Sequence, residues 1–307
     1  MKANFKFLSE QRFWTKAGWA VLTTFALCIV FLYFFVSPRF NETLVNTVLI
    51  HPNVLPEHAE EMRALAGVEA KEVTIPAGTA RLDALLYKVK GAPDVVLYSH
   101  GNAGNIDHRI EKIRALIQIG ISVFAYDYRG YGKSSGEPTL KTIVVDGIAA
   151  YDFLVEKENY KPEQIVLYGE SIGTGISTEI ARKRKYKALI LESGFSSPET
   201  RAKEKIPALN IYPSFLMMDP ALDNLEYVRG KHQPLLLIAG KHDDMIPCTH
   251  SETMFAQASE PKKLLLGPNS NHNDFSKDWI LYKTTIEAFL KEIGSVPTVA
   301  KPEPQGI

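Results

Sequence analysis

Short apolar runs rich in β-branched residues alternate with segments of helical periodicity from residue 95 onward. Such alternation predicts a parallel sheet covered by helices on both faces, because each crossover helix returns the chain to the start of the next strand. Two earlier segments, 71–77 and 81–90, alternate apolar with polar residues, which is typical of half-buried edge strands. The later predicted strands are 95–98, 122–126, 165–168, 188–191, 235–239 and 263–266, and the predicted helices are 106–119, 140–158, 172–184, 250–258 and 275–292.

One interval breaks this alternation. Residues 196–231 separate two predicted strands by about 36 residues, which is more than a strand–helix connection needs. The interval holds four prolines and an apolar cluster at 212–218. A loosely packed excursion is one interpretation, and a short cap over the end of the sheet, at about 196–231, is the one we favour. The globular domain is then expected at 71–293, followed by a proline-containing disordered tail at 294–307.

The N-terminal part of the chain differs from the rest. Residues 17–36 contain no charged side chain and are about one bilayer thickness long, so they predict a transmembrane helix. The alternatives are a cleavable signal peptide, although no small-x-small cleavage site follows, and a buried core helix. Four basic residues precede the apolar run and only Arg39 follows it closely. This bias predicts that segment 1–16 is cytoplasmic and that the catalytic domain lies on the non-cytoplasmic, periplasmic or lumenal, side. Residues 37–70 are then expected to be a linker and lead-in to that domain.

The overall composition excludes some classes of protein. Lysine plus arginine and aspartate plus glutamate both total 35, so no basic surplus is present to neutralise a nucleic-acid backbone. The two cysteines are too few for a disulfide framework, and the fold must therefore be stable without one.

The segment 165–173 carries the motif that points most directly to chemistry. A buried β run ends in the sequence GESIG, with Ser171 at its centre, and a helical segment follows. A serine at such a strand–helix turn has a strained backbone that projects its hydroxyl above the sheet, and the flanking glycines avoid clashes with the neighbouring elements. The pattern alone is a weak indication, but its position between a strand and a helix makes Ser171 the candidate nucleophile.

A second glycine-rich turn, YSHGNAGN at 98–105, ends an earlier predicted strand. Acyl transfer needs two backbone N–H donors for the oxyanion, one from the residue after the nucleophile and one from another loop. We assign these donors to Ile172 and to Asn102, the residue after His-Gly. A phosphate-binding loop is the alternative, but the turn lacks both a Walker lysine and the G-x-G-x-x-G spacing.

A serine nucleophile needs a base, and the base needs a carboxylate that orients it. Asp243 follows the predicted strand 235–239, and His272 lies in the loop after the last predicted strand. The order serine, aspartate, histidine is one in which such triads occur. A metal site at His242, Asp243 and His272 is the alternative, yet no two of these residues have helical or hairpin ligand spacing. We therefore expect neither a metal nor another cofactor.

Five motifs occur in order along the chain: HGNAGN, YDYRGYGKSSG, GESIG, GKHDDMIP and NHNDF. With them the chain resembles the α/β-hydrolase superfamily and, within it, the membrane-anchored ABHD-type hydrolases of the Bem46-like kind. The resemblance implies an α/β-hydrolase fold, with a mostly parallel central sheet, helices on both faces, a short cap and one N-terminal membrane helix. It also matches Ser171, Asp243 and His272 to the family's triad positions and implies a supporting role for Asp127 and Arg129.

The resemblance fixes the type of reaction better than the substrate. It implies a serine hydrolase that cleaves carboxylic esters or thioesters through an acyl-enzyme. The short cap with its apolar cluster at 212–218 and the membrane anchor favour small, partly apolar acyl substrates, including lipid-like ones. A serine peptidase acting on small peptides and a non-catalytic scaffold on the same fold are the alternatives. All three triad residue types are present, which argues against the scaffold.

Overall fold

A computed structural model of the chain describes residues 2–41, 45–46, 50–55, 57–217 and 222–296. The helices are α1 Lys2–Val36, α2 Ile110–Ile119, α3 Leu140–Glu156, α4 Ile172–Lys183, α5 Pro198–Lys205, α6 Asn224–Arg229, α7 Thr249–Gln257 and α8 Trp279–Glu292. The strands are β1 Ala64–Leu65, β2 Val68–Ala77, β3 Ala80–Tyr87, β4 Val95–Ser99, β5 Ser122–Tyr126, β6 Ile165–Glu170, β7 Ala188–Glu192, β8 Leu235–Gly240 and β9 Lys262–Gly267.

The nine strands of the described residues form one sheet in the order β1-β2-β3-β5-β4-β6-β7-β8-β9. The pairs β1–β2, β2–β3 and β3–β5 are antiparallel, and every other neighbouring pair is parallel. The carboxyl ends of β4 to β9 therefore meet at one edge of the sheet, where ligands of open α/β sheets bind. The loops that carry the candidate site residues all leave the sheet at this edge.

Helices cover both faces of the sheet, as the sequence pattern predicts. On one face, α3, α4, α6 and α7 pack against strand residues such as Leu97 and Leu167. On the other face, α2 and α8 pack against the alternate residues, such as Val96 and Val166. The mostly parallel α/β-hydrolase architecture is confirmed.

The expectation that 81–90 forms a half-buried edge strand is wrong. β3 lies between β2 and β5, and all of its residues except Arg81 are buried. The reason is the lead-in segment, whose residues Met62 and Leu65 pack in the same apolar cluster as Tyr87. The Tyr87 hydroxyl donates a 2.5 Å hydrogen bond to the Met62 carbonyl oxygen, which holds the lead-in segment against β3.

The N-terminal helix stands apart from the sheet. Its stretch Thr15–Val36, 22 residues, is long and apolar enough to cross a membrane, and none of its apolar window is buried inside the protein. At the other end of the chain, α8 ends at Glu292. Most of the tail predicted at 294–307 lies outside the described residues.

Candidate active site

Ser171 occupies the turn between β6 and α4. Its backbone has φ 55° and ψ −116°, and such a positive φ is strained for a serine. A Cβ on Gly169 would lie 2.3 Å from the Gly173 carbonyl oxygen, and a Cβ on Gly173 would lie 2.0 Å from the Ser99 carbonyl oxygen. Only glycine fits at both positions, so the two glycines of the motif allow the sharp turn that exposes Ser171.

Three candidate residues from three different loops form one chain of contacts. The Nε2 atom of His272 lies 3.2 Å from Ser171 Oγ, and its Nδ1 atom lies 2.8 Å from Asp243 Oδ2. The Asp243 side chain is fully buried, and 11% of the His272 side chain is exposed. The Nδ1–H group therefore donates a hydrogen bond to the carboxylate, which leaves Nε2 as the nitrogen that can accept the proton of the serine.

Asp243 is held in place through its second oxygen. Oδ1 accepts backbone N–H bonds from Met245 (3.0 Å) and Ile246 (2.7 Å). The neighbouring Asp244 is exposed, as is His242. Among the residues that the structure describes, no group of three or more His, Cys, Asp or Glu is placed to hold a metal ion.

The loop after β4 approaches the nucleophile closely. A Cβ on Gly101 would lie 3.4 Å from Ser171 Cβ and 2.8 Å from Glu170 Oε1. Asn102, the next residue, therefore lies beside the turn, and Ile172 is the first residue of α4, where a backbone N–H has no partner within the helix. Ile172 and the residue before Asn102 thus adjoin Ser171, and the role of Ile172 and Asn102 as oxyanion donors stays a prediction.

Sequence reasoning missed the residues that hold Asn102. Its Oδ1 accepts a 2.8 Å hydrogen bond from the Tyr131 hydroxyl and a 2.9 Å bond from the His51 backbone N–H. Pro52 of the lead-in segment also forms an isolated parallel β-bridge with Gly104 of the same loop. Tyr131 lies in the YDYRGYG motif, which could have suggested it, whereas backbone contacts such as that of His51 leave no trace in the sequence.

A buried charge network lies behind the nucleophile. Glu170 contacts Arg109 (2.9 Å) and Lys112 (2.8 Å), and Lys112 also contacts Glu192 at 2.5 Å. Burial disfavours the ionised form of Glu170, but Lys112 and Arg109 outweigh it and hold the pKa of that carboxyl below its usual range. Arg109 also donates a 2.8 Å bond to the Ala103 carbonyl, so the network connects the Ser171 turn to the Asn102 loop.

Asp127 and Arg129 stabilise the loops around the site. Asp127 is fully buried, accepts a 3.0 Å bond from the Ile106 backbone N–H and lies 3.2 Å from His100 Nε2. Arg129 forms an ion pair with the buried Asp146, with Nη2 2.6 Å from Oδ1. These contacts fix the ends of β4 and β5.

Comparison with known proteins agrees with this architecture. A family model described as "Serine aminopeptidase, S33" matches residues 91–218. The Escherichia coli protein YfhR is 32% identical over 231 residues, which cover 74% of this chain and 77% of YfhR. Protein bem46 of Schizosaccharomyces pombe is 28% identical over 273 residues, covering 84% of this chain and 87% of bem46. The chain belongs to the α/β-hydrolase superfamily, among its ABHD-type, Bem46-like members.

Two further comparisons show how far the similarity extends, one with a relative and one with a solved structure. The uncharacterized Mycobacterium tuberculosis protein Rv2307c is 36% identical over 184 residues, which cover 60% of this hydrolase but only 64% of the mycobacterial protein. The Pyrococcus furiosus esterase Pf2001 has a TM-score of 0.65 and 18% sequence identity, covering 80% of this chain and 98% of the esterase. At that identity the likeness concerns the fold alone.

Proposed function

We propose that this hydrolase is a serine hydrolase that cleaves carboxylic esters or thioesters through an acyl-enzyme. The observation that carries the proposal is the continuous contact chain from Ser171 Oγ through His272 to Asp243. A strained serine next to an imidazole that is itself oriented by a buried carboxylate is the arrangement that activates a hydroxyl for attack.

The reaction follows from the roles of these atoms. His272 Nε2 takes the proton of Ser171 as Oγ attacks the substrate carbonyl carbon. The backbone N–H groups of Ile172 and Asn102 receive the negative charge that develops on the carbonyl oxygen. His272 then gives the proton to the leaving alcohol or thiol, and the acyl-enzyme remains. A water molecule activated by the same imidazole releases the acid and regenerates the serine.

The cap supports an apolar substrate. Tyr212, Leu216 and Met217 form a buried apolar cluster in the segment that follows β7. We propose acyl compounds of modest size, including lipid-like ones, as substrates, and a membrane anchor at residues 17–36 that keeps the enzyme near them. The description of the matching family model as a serine aminopeptidase supports small peptides as the second candidate class.

Labelling with a fluorophosphonate probe tests the nucleophile, and a substrate panel tests the class. Wild type should be labelled, and Ser171→Ala should not be labelled while its unfolding temperature is retained. Turnover should fall by roughly 10⁴-fold or more in that variant.

The panel should contain p-nitrophenyl acyl esters, acyl thioesters and aminoacyl amides. Near-wild-type turnover by folded Ser171→Ala would refute the proposal, and a preference for the amides would favour the peptidase.

A further inference from the structure

The last turn of the N-terminal helix contacts the cap directly. The ring of Tyr33 stacks on that of Tyr212, with centroids 4.9 Å apart and planes 27° apart. The Tyr33 hydroxyl donates a 2.7 Å hydrogen bond to the Ile211 carbonyl oxygen. The contact joins residues 178 positions apart in the sequence, so the fold itself brings helix and cap together.

Tyr33 completes the small apolar core of the cap. Tyr212, Leu216 and Met217 are at most 7% exposed, and Tyr33 packs against this cluster from outside. An isolated cap would leave this side of the cluster uncovered. The helix and the cap therefore form one packed unit.

The same cap segment also presents large apolar side chains to its surroundings. Ile211 is 65% exposed, Phe215 is 69% exposed and Ile206 is 43% exposed. Three large apolar side chains are thus exposed within ten positions of the cap, and exposed apolar surface of this kind is typical of binding sites. We call these three residues the cap surface.

The contact with Tyr33 fixes the depth of the cap surface relative to a membrane. An apolar helical stretch of 22 residues is about 33 Å long, which matches a hydrocarbon core of about 30 Å. Tyr33 lies three residues before the end of this stretch, at the level where tyrosine is enriched at membrane–water interfaces. Since the Ile211 carbonyl is bonded to the Tyr33 hydroxyl, Ile211 must lie at the same level.

We propose that the cap surface inserts into the interface of the bilayer that α1 spans, and that the enzyme draws its acyl substrates from this leaflet. The inference rests on the membrane anchor of the proposed function. A bilayer fits this surface better than a protein partner because the surface adjoins the exit point of the helix. A Phe or Ile side chain that enters the acyl boundary gains the free energy of apolar burial.

The cap surface is connected to the edge of the sheet that carries the candidate site. The cap follows β7, and the Ser171 backbone N–H donates a 2.9 Å bond to Glu192, the last residue of that strand. Two cap residues also contact His250 of α7: Glu204 lies 2.8 Å from His250 Nε2, and the Ser196 N–H donates a 3.1 Å bond to His250 Nδ1. These contacts attach the cap to the edge of the sheet that carries the site, and we infer that an acyl chain leaving the bilayer enters at this edge.

Depth-dependent fluorescence quenching tests the proposal on the full chain. A dye is attached at Phe215→Cys in a background of Cys28→Ala and Cys248→Ala, and the protein is reconstituted in phosphatidylcholine vesicles with brominated acyl chains. The control label is placed at Lys157→Cys, an exposed position at the end of α3, on the opposite edge of the sheet. We expect strong quenching at position 215 and little at position 157. Equal quenching at both positions would overturn the proposal, and so would release of the protein from the vesicles by alkaline carbonate.

A second measurement compares two substrates. The variant Ile211→Glu/Phe215→Glu is assayed on a long-chain acyl ester dissolved in the vesicles and on water-soluble p-nitrophenyl acetate. We expect the ratio of the two turnover rates to fall about tenfold, because two buried apolar contacts with the leaflet are lost. The matched control is Val145→Glu, an exposed apolar residue on α3, which should leave the ratio unchanged.

An unchanged ratio in the cap variant would contradict substrate entry from the leaflet. Absence of any turnover in wild type would refute the proposed hydrolase function, while the quenching result would still decide the position of the cap.

Discussion

The hydroxyl of Tyr131 donates a 2.8 Å hydrogen bond to the side-chain oxygen of Asn102. The same oxygen accepts the His51 backbone N–H, so residues from two separate segments hold the loop of the candidate oxyanion donor. Preorganised donors stabilise developing charge because they need no rearrangement during the reaction. Tyr131 is therefore a positioning residue for the proposed reaction.

Tyr131→Phe should lower kcat about tenfold and leave KM nearly unchanged. Removal of a whole oxyanion donor costs about 10²–10³-fold in kcat, and this substitution only loosens the support of one. The assay is ester turnover at several substrate concentrations, with the unfolding temperature measured in parallel. Tyr227→Phe, which removes a hydroxyl bonded to Tyr186, is the control and should keep kcat. Similar losses in both variants would show that the effect is general destabilisation.

Glu170→Gln should reduce the free energy of unfolding by about 3–5 kcal/mol, because it leaves the buried Lys112 and the half-buried Arg109 without a full counter-charge. Urea denaturation of the detergent-solubilised protein measures the change. The control is Glu111→Gln, whose ion pair with Arg114 is largely exposed and should contribute less than about 0.5 kcal/mol. Equal effects of the two substitutions would mean that the buried network contributes little to stability.

Because of His58, the free energy of unfolding should decrease at alkaline pH. Its imidazole lies 2.6 Å from both Asp83 and Asp107. Burial disfavours the charged form, but the hydrogen bonds to Asp107 and Asp83 outweigh it and raise the pKa of His58 from 6.5 to about 9. Because the folded protein holds this proton more tightly than the unfolded chain, the stabilisation is complete below pH 6.5 and is lost as the pH rises through about 9.

Denaturation midpoints between pH 6 and pH 10 would reveal this dependence. His58→Gln should be less stable than wild type at the acidic end of this range and should lack the alkaline decline. His242→Gln, at an exposed position, should behave as wild type. A wild-type decline that persists in His58→Gln would assign the effect to other groups.

The sequence predicted the parts of the fold that depend on residues close together in the chain. Apolar runs and helical periodicity gave the strands and helices of the sheet, and the glycines around Ser171 gave the turn. The order of the motifs also predicted that Ser171, Asp243 and His272 meet, and the structure brings them within hydrogen-bond reach. Their catalytic role stays a prediction.

The contacts that the sequence did not predict join distant segments through backbone atoms or single side chains. His51 and Asn102 are 51 residues apart, and a backbone donor can be supplied by almost any residue type. The burial of β3 depends likewise on Met62 and Leu65, which belong to a segment without a regular apolar pattern. Such contacts depend on the completed fold and leave no periodic trace in the chain.

The catalytic domain should lie on the non-cytoplasmic side of the membrane. Lys2, Lys6, Arg12 and Lys16 precede the apolar stretch, and basic residues are retained on the cytoplasmic side. In intact bacterial spheroplasts, or in sealed vesicles of known orientation, external protease should digest the domain without prior lysis. A cytoplasmic marker enzyme must stay intact in the same sample. Protection of the domain until detergent is added would contradict this orientation.

The acid of the proposed triad should be Asp243, and its neighbour Asp244 should be dispensable. Asp243 Oδ2 lies 2.8 Å from His272 Nδ1, whereas Asp244 is exposed. Asp243→Asn should reduce kcat by about 10⁴-fold with little change in KM, because the imidazole loses the partner that fixes its tautomer.

Asp244→Asn changes the same functional group one residue away and should keep most of the activity, so the pair controls for any general effect on the loop. Both variants should be assayed beside wild type on the same ester, with the unfolding temperature of each recorded. Asp243 Oδ1 also accepts two backbone N–H bonds, from Met245 and Ile246, so some loss of stability is expected in Asp243→Asn. The activity of the folded fraction is therefore the quantity to compare. If Asp244→Asn proves to be the inactive variant, the assignment of the acid is wrong by one residue.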